Sequence, residues 1–409
     1  MAPQSKPPLG RTVIALSAVS LLTDVSSEMI YPLIPAFLTM TLGVSAGFVG
    51  VIEGAAESVA ALVKLASGWW SDRTPRRKPL VVAGYSLAAF ARPLVALATS
   101  GWQVLGIRLV DRVGKGIRSA PRDALLADSA PADARGRAFG FHRAADNLGA
   151  VLGPLCAFVL LRWMGVPIRT VFWLAAIPAV LAVVVLVVAV RERGDRSRET
   201  GVRPEAGAVS PADHSTAALG GRFWGVLTAV FVFTLGNSTD AFLLLRAAEL
   251  GVPIAVAPLI WAALHVVKSV SNTPGGALSD RVGRRPVVLA GWLLYAAVYV
   301  GFALASAAWH AWALFMIYGL VFGLSEGTEK ALVADLAPVA RRGAAFGWYN
   351  LAIGIGTLPA SLLFGALWNR FGSPVAFVVG ASIALAASCT LLAVPRVASV
   401  SRSSEKSGA

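Results

Sequence analysis

The chain is short of the residues that keep a soluble protein in water. Charged side chains are 14% of its 409 residues, whereas a soluble chain carries about a quarter. It has two cysteines and four histidines. The thiols, Cys156 and Cys389, sit inside apolar runs, which excludes a disulfide framework and a Cys/His metal cluster; both are expected to pack in the interior. No nucleophile–base arrangement is visible. Gly114-Lys115-Gly116 resembles a fragment of a phosphate loop but lacks the following Ser/Thr and the preceding strand. Neither enzymatic chemistry, nor a metal, nor a cofactor is therefore expected.

Apolar residues, by contrast, reach 56%. They fall in runs of roughly 20 residues, the length a bilayer demands of a helix. Spans are predicted at 12–40, 47–70, 79–99, 102–127, 138–164 and 167–190, then at 223–249, 253–276, 286–306, 310–335, 344–369 and 373–395. The expected organisation is an N-terminal six-helix bundle (1–190), a polar linker (191–222), a C-terminal six-helix bundle (223–395) and a disordered tail (396–409). The polar start, Met1 to Arg11, precedes a run too long for a signal-peptide core, so the first span is read as uncleaved. The net charge of +14 does not point to a nucleic-acid partner, because the basic residues sit in short clusters between spans and build no soluble basic face.

Those clusters alternate. Arg73, Arg76, Arg77 and Lys78, then Arg135 and Arg137, the linker arginines, Arg281, Arg284 and Arg285, and Arg341 with Arg342 fall on one side. The other side holds little beyond Arg162, Arg169 and Arg370. The positive-inside bias places both termini and the linker in the cytoplasm of a bacterial cell, with the chain in its cytoplasmic membrane.

The chain also repeats itself. Gly68-Trp-Trp-Ser-Asp72-Arg73-Thr-Pro-Arg76-Arg77 recurs 208 residues on as Gly276-Ala-Leu-Ser-Asp280-Arg281-Val-Gly-Arg284-Arg285. Ala127-Asp128 through Phe139-Gly140 recurs 207 residues on as Ala334-Asp335 through Phe346-Gly347. Two motifs at nearly one offset, both at the same ends of equivalent spans, divide the protein into six plus six. The second motif opens the fifth and eleventh helices, whose unpaired N–H groups attract anions. Asp72 is therefore expected to dock at the start of helix 11 and Asp280 at the start of helix 5, latching the halves together. Alternatively, these are solvated loop charges that set topology.

These residues resemble the loop signature of the major facilitator superfamily, and the resemblance covers nearly the whole chain. Gly276, Asp280, Arg281 and Gly283 fit it, whereas Pro75 replaces the glycine in the first copy. The resemblance implies an all-α membrane fold of twelve transmembrane helices in two six-helix bundles. It also assigns Gly68, Asp72, Arg73, Arg76, Gly276, Asp280, Arg281 and Arg284 to a cytoplasmic gate, closed in the outward-facing state. Arg112-Val-Gly-Lys115-Gly116 looks like the family's second signature, linked to proton transfer, with Lys115 where glutamine is usual. Gly140, Gly149, Gly153 and Pro154 on helix 5 are similar to the pattern of proton-coupled antiporters, although Ala157-Phe158 replaces its closing glycines. Simple close packing also explains such glycines. The stretch from Arg112 to Arg143 resembles a poorly characterised prokaryotic branch of the superfamily, which implies no particular substrate.

Ionisable groups inside a bilayer are costly and are functional or paired. Asp24 and Glu28 lie one turn apart on helix 1, with Asp24 roughly 18 Å from the start of that span; Glu53 and Glu57 repeat the spacing on helix 2. Tyr31-Pro32 and Pro35 imply a kinked outer part of helix 1. Arg108, Asp111, Arg112, Lys115, Arg118 and Arg122 follow at helical spacing on helix 4. Proton coupling is assigned to Asp24, Glu28, Glu57, Arg112 and Asp146, with an Arg112–Asp146 pair as bridge or relay; the alternative is fixed pairing of the acids with Arg108 and Arg112. The substrate cavity is assigned to Glu53, Arg108, Lys115, Asp240, His265 and Glu326, with His265 aligned to Glu57 through the repeat.

The leading expectation is a monomeric secondary transporter exporting a small molecule by proton-coupled alternating access. One alternative is an organic-anion importer or exchanger that uses the helix 4 arginines. Another, of a different class, is a non-transporting membrane sensor on the same scaffold.

Overall fold

The computed structural model describes residues 10–74, 76–130, 135–190, 219–338 and 341–395, all helical or in short connections between helices. Pro75, residues 191–218 of the linker and the tail lie outside the described residues, as does the side chain of Asp72. Among the described residues twelve helical spans follow one another: α1 (Arg11–Thr41), α2 (Ala46–Arg73), α3 (Lys78–Leu97), α4 (Gly101–Ser129), α5 (Arg135–Arg162) and α6 (Ile168–Ala189). The second half is built of α7 (Gly221–Glu249), α8 (Ile254–Val282), α9 (Arg284–Leu304), α10 (Ala308–Leu336), α11 (Arg342–Phe371) and α12 (Ser373–Ala393). Eleven are long and apolar enough to cross a membrane. The twelfth, α4, is long enough but carries the arginine-rich stripe, which only a protein interior can accommodate.

Two spans break where their sequences require it. In α1, regular helix ends at Ile30 and gives way to a tighter turn at Tyr31–Leu33 and a wider one at Phe37–Thr41. Pro32 and Pro35 each remove a backbone donor there, so an ordinary ladder cannot continue. In α7, helix ends at Gly236 and resumes at Ala241, leaving residues 237–240 unwound. The two breaks are equivalent through the repeat, since Tyr31 maps onto Ser238 at an offset of 207.

Packing within each half is also paired. A Cβ on Gly116 of α4 would lie 2.6 Å from Val63 of α2, and one on Gly323 of α10 would lie 2.5 Å from the Ser271 Cβ of α8. Gly116 and Gly323 are 207 apart, and Val63 and Ser271 are 208 apart. Equivalent helix pairs thus approach through equivalent small residues, as membrane helices do without a hydrophobic drive between them. Cys156 and Cys389, expected inside, instead lie exposed on the outer surface. In a bilayer that surface faces lipid, where a thiol is as acceptable as in a core.

The halves meet along α2 with α11 and α5 with α8. At the face away from the linker they touch closely: the Gly47 N–H donates to Asn369 Oδ1 at 3.0 Å, and a Cβ on Gly365 would lie 2.7 Å from the Gly47 Cα. Toward the linker face, where α6 ends and α7 begins, the same helices diverge around a cavity of about 590 Å³ lined by Lys64, Gly68, Trp69, Lys115 and Gly347. The molecule is closed on the far face and open on the linker face.

A charged cavity between the two halves

Two further chambers adjoin this opening. One, of about 340 Å³, is bounded by α1, α4 and α5 on one side and α8 and α10 on the other; it is lined by Asp24, Glu28, Lys64, Lys115, His265 and Glu326, among others. The other, of about 300 Å³, sits against the α7 break and is lined by Asn237, Asp240, Tyr318, Glu329 and Tyr349, with Tyr31 and Glu57 from the first half. Glu57 and Thr357 border both this chamber and the linker-side opening.

Most of the helix 4 stripe is neutralised inside its own half. Arg108 makes a two-pronged bond to Glu53, Nε to Oε1 at 2.9 Å and Nη2 to Oε2 at 2.6 Å. It also approaches Asp111 at 3.5 Å. Arg92 of α3 bonds Asp111 at 2.9 Å and donates to the Thr23 carbonyl of α1 at 3.0 Å. Arg112 meets Glu57 at 2.9 Å. Glu53, Arg92, Arg108, Asp111 and Arg112 are all buried. Fork-shaped guanidiniums suit such pairing, and mutual neutralisation is the condition for keeping these charges dry.

Several expected placements change accordingly. Arg112 bridges to Glu57 rather than to Asp146, because α4 packs along α2 and barely touches α5. Asp146 lies instead 3.8 Å from His142 on its own helix. Arg108 and Arg112, assigned to an organic anion in one reading, are already held by carboxylates. Glu57 makes the contact with Arg112 that the fixed-pairing alternative expects.

Asp24 differs. Among the described residues its carboxylate makes no ion pair or side-chain hydrogen bond, though it lines the 340 Å³ chamber. The helix 5 glycines put it there: a Cβ on Gly149 would lie 2.6 Å from the Leu21 carbonyl and 2.9 Å from the Asp24 Cβ. Gly153 likewise abuts Val25 and Glu28. Close packing therefore accounts for these two glycines, and Pro154 is buried beside them. Gly140 has open space around it.

Glu28 reaches across the halves. Trp261 Nε1 of α8 donates to its Oε2 at 2.8 Å, and His265 Nε2 stands 3.9 Å away. Tyr31 packs on Trp261 with ring centroids 5.1 Å apart. Glu326 gathers cations from both halves: Arg143 at 3.1 Å, Lys268 at 3.1 Å and Lys330 at 3.5 Å. Asp240 accepts from the Tyr318 hydroxyl at 2.7 Å. Lys115 lines the cavity as expected but makes no ion pair among the described residues, and the same is true of Lys64.

Sequence reasoning passed over Lys64 and Trp261. Lys64 lies seven residues after Glu57 on one α2 stripe, a spacing that could have shown it. Trp261 carried no such signal, because a tryptophan in an apolar span reads as packing.

The gate residues lie at the linker-side ends of α2 and α8. Among the described residues Asp280 makes no contact with the start of α5: it pairs with Arg284 at the start of α9 and is 63% exposed. Arg284 also contacts Asp335 at 3.5 Å and donates to Ser279 Oγ at 2.7 Å. Gly283 adopts φ +101° to turn the chain there, a conformation open to glycine and closed to proline, which stands at the equivalent position 75. Arg73 lies over the Trp69 ring, 3.7 Å from its centroid.

The sequence match decides the family. The model of the Major Facilitator Superfamily fits residues 16–267 and 226–409. The chain belongs to that superfamily. An uncharacterised MFS-type transporter of Methanocaldococcus jannaschii is 31% identical over 390 residues, covering 94% of this chain and 95% of that one. The fosmidomycin resistance protein of Escherichia coli is 25% identical over 353 residues, 85% and 84% of the two chains. Among solved structures, a bacterial homologue of the human lysosomal transporter Spinster, inward-facing and unoccupied, superposes with a TM-score of 0.71 at 17% identity, covering 95% and 96%. This superfamily protein is a multi-pass membrane transporter of small molecules and not an enzyme.

Proposed function

We propose that this transporter exports a small organic molecule in exchange for protons, as a monomer in a bacterial cytoplasmic membrane with both termini and the linker in the cytoplasm. On that orientation the linker-side opening faces the cytoplasm, and the structure corresponds to the inward-open state of alternating access. The observation that carries proton coupling is Asp24, a carboxylate in the central cavity that makes no ion pair among the described residues. A carboxylate left without a fixed counter-charge is free to bind and release a proton, which Glu53 and Glu57, clamped by arginines, are not. Asp146 and Glu28 line the same chamber, so the proton has neighbours to exchange with. Glu28 further links this site to the far-face closure through Trp261.

The direction of transport draws support from the resistance named in the Escherichia coli relative. The Asp72 and Asp280 contacts with α11 and α5 are assigned to the opposite, outward-open state, in which the linker face closes. The residues give the arginine-based anion importer little to work with, since Arg108 and Arg112 are already committed to Glu53 and Glu57. A sensor on this scaffold would bind without flux.

The test is proton flux in proteoliposomes carrying a pH-sensitive dye, driven by a library of organic cations, anions and zwitterions. A compound that moves protons with the parent and not with Asp24→Asn is expected, with Glu57→Gln acting mainly through stability. Coupling through Asp24 is wrong if transported compounds move no protons, or if Asp24→Asn retains the parent's stoichiometry.

A further inference from the structure

The cavity holds ionisable groups without an ion-pair partner on both walls: two lysines beside Asp24 on the first half and two carboxylates on the second. On the first half, Lys64 of α2 and Lys115 of α4 both border the linker-side opening and the 340 Å³ chamber, and neither has an ion-pair partner among the described residues. On the second half, the chamber at the α7 break presents Asp240 and Glu329, whose bonds come from neutral donors. Tyr318 serves Asp240; Trp292 at 2.7 Å and Tyr349 at 3.0 Å serve Glu329. Asp240 precedes the outer segment of α7 but does not cap it with its side chain. The inner segment of α7, Gly221–Gly236, ends at the same place, so its carbonyl end adds partial negative charge to the chamber. Unwound backbone and half-helix C-termini at mid-membrane are suited to holding cations. Tyr31, Phe233 and Phe322 line that chamber as well; Lys268 already stands over the Phe322 ring at 4.0 Å, the contact that aromatic faces offer an ammonium group.

Resting on the transport reading above, we infer that the substrate class is zwitterionic, an amphiphilic amine with an anionic group, bound with its ammonium at Asp240 and the α7 break and its anion at Lys64 and Lys115. The Glu57–Arg112 pair lies between the two subsites, already neutralised, and so repels neither end. A purely cationic ligand would leave both lysines unmatched, and a purely anionic one would leave Asp240 and Glu329 unmatched. Either residual is costly in a dry cavity.

Binding is read by thermal shift and titration calorimetry on the purified full-length protein in detergent. The probes are matched trios of aromatic amino compounds from single amino acids to dipeptides: the free zwitterion, its N-acetyl anion and its methyl-ester cation. At least one zwitterion is expected to bind about tenfold or more tighter than both derivatives. Lys115→Gln should erase its advantage over the ester, and Asp240→Asn its advantage over the N-acetyl form, with the unliganded melting temperature confirming that each variant folds. Binding confined to cations or to anions, unchanged selectivity in both variants, or no binding across the trios overturns the inference. Zwitterion binding without proton flux would sink the coupling proposal and leave this one standing; flux driven only by a singly charged compound would do the reverse.

Discussion

The two halves share a plan yet line their common cavity with different chemistry. Glu53 corresponds through the repeat to Trp261, Arg108 to Phe315, Asp111 to Tyr318 and Arg92 to Tyr299. The first half therefore fills its interior with an ion-paired network, and the second fills the equivalent space with aromatic rings. Phe302 and Phe315 pack edge to face at 5.7 Å, and Tyr295 stacks on Tyr299 at 4.2 Å. Both solutions bury these positions. They respond differently to the loss of one member, because a ring leaves a cavity whereas an acid leaves an unmatched charge.

The largest effect should come from Glu53→Gln. It strands Arg108, buried, with only the 3.5 Å approach of Asp111, and should destabilise the protein by about 3 kcal/mol. Urea unfolding in detergent micelles reads this; a loss below about 1 kcal/mol would mean that water reaches the network. Second comes Trp261→Phe, at the position equivalent to Glu53. It removes the donor to Glu28 while keeping an aromatic ring, and should weaken the far-face closure by about 2 kcal/mol. Labelling of a cysteine placed at Ser361 should then rise from the far side, and unchanged labelling would remove Trp261 from the closure. Glu329→Gln should cost less, about 1 kcal/mol, since its partners Trp292 and Tyr349 are neutral and leave no charge behind. If Glu329→Gln proves as damaging as Glu53→Gln, the contrast between the halves is not one of charge. Smallest is Asp280→Asn: its pair with Arg284 is exposed and should contribute under about 0.5 kcal/mol in this state. Its effect belongs to the outward-open state, where linker-side accessibility of cavity cysteines should increase. Equal labelling of variant and parent would dismiss the latch.

Much of this was legible in the chain. Spans follow from runs of about 20 apolar residues, since a bilayer admits only helices of that length. The α4 span reads as an apolar run at 102–127 despite its charges, and the repeat then aligns it with α10. Asp24, Glu28 and Glu57 face the interior as their spacing required. What spacing could not supply was the partner. Arg112 could reach an acid on α2 or on α5 at similar depth, and the choice depended on which neighbour α4 packs against. Likewise the helix 5 glycines read as the antiporter pattern ahead of packing, and only the structure puts Gly149 and Gly153 against α1.

The sequence by itself determined the number of spans, the duplication of a six-helix unit and the set of charges that must lie inside the membrane. Those properties are set by hydropathy and period, which act along one chain segment at a time. Only the tertiary structure decided which of those charges cancel and which remain, because neutralisation depends on contacts of a few ångströms between helices far apart in sequence. Arg108 and Arg112 were settled that way, and so was Asp24, which makes no ion pair among the described residues.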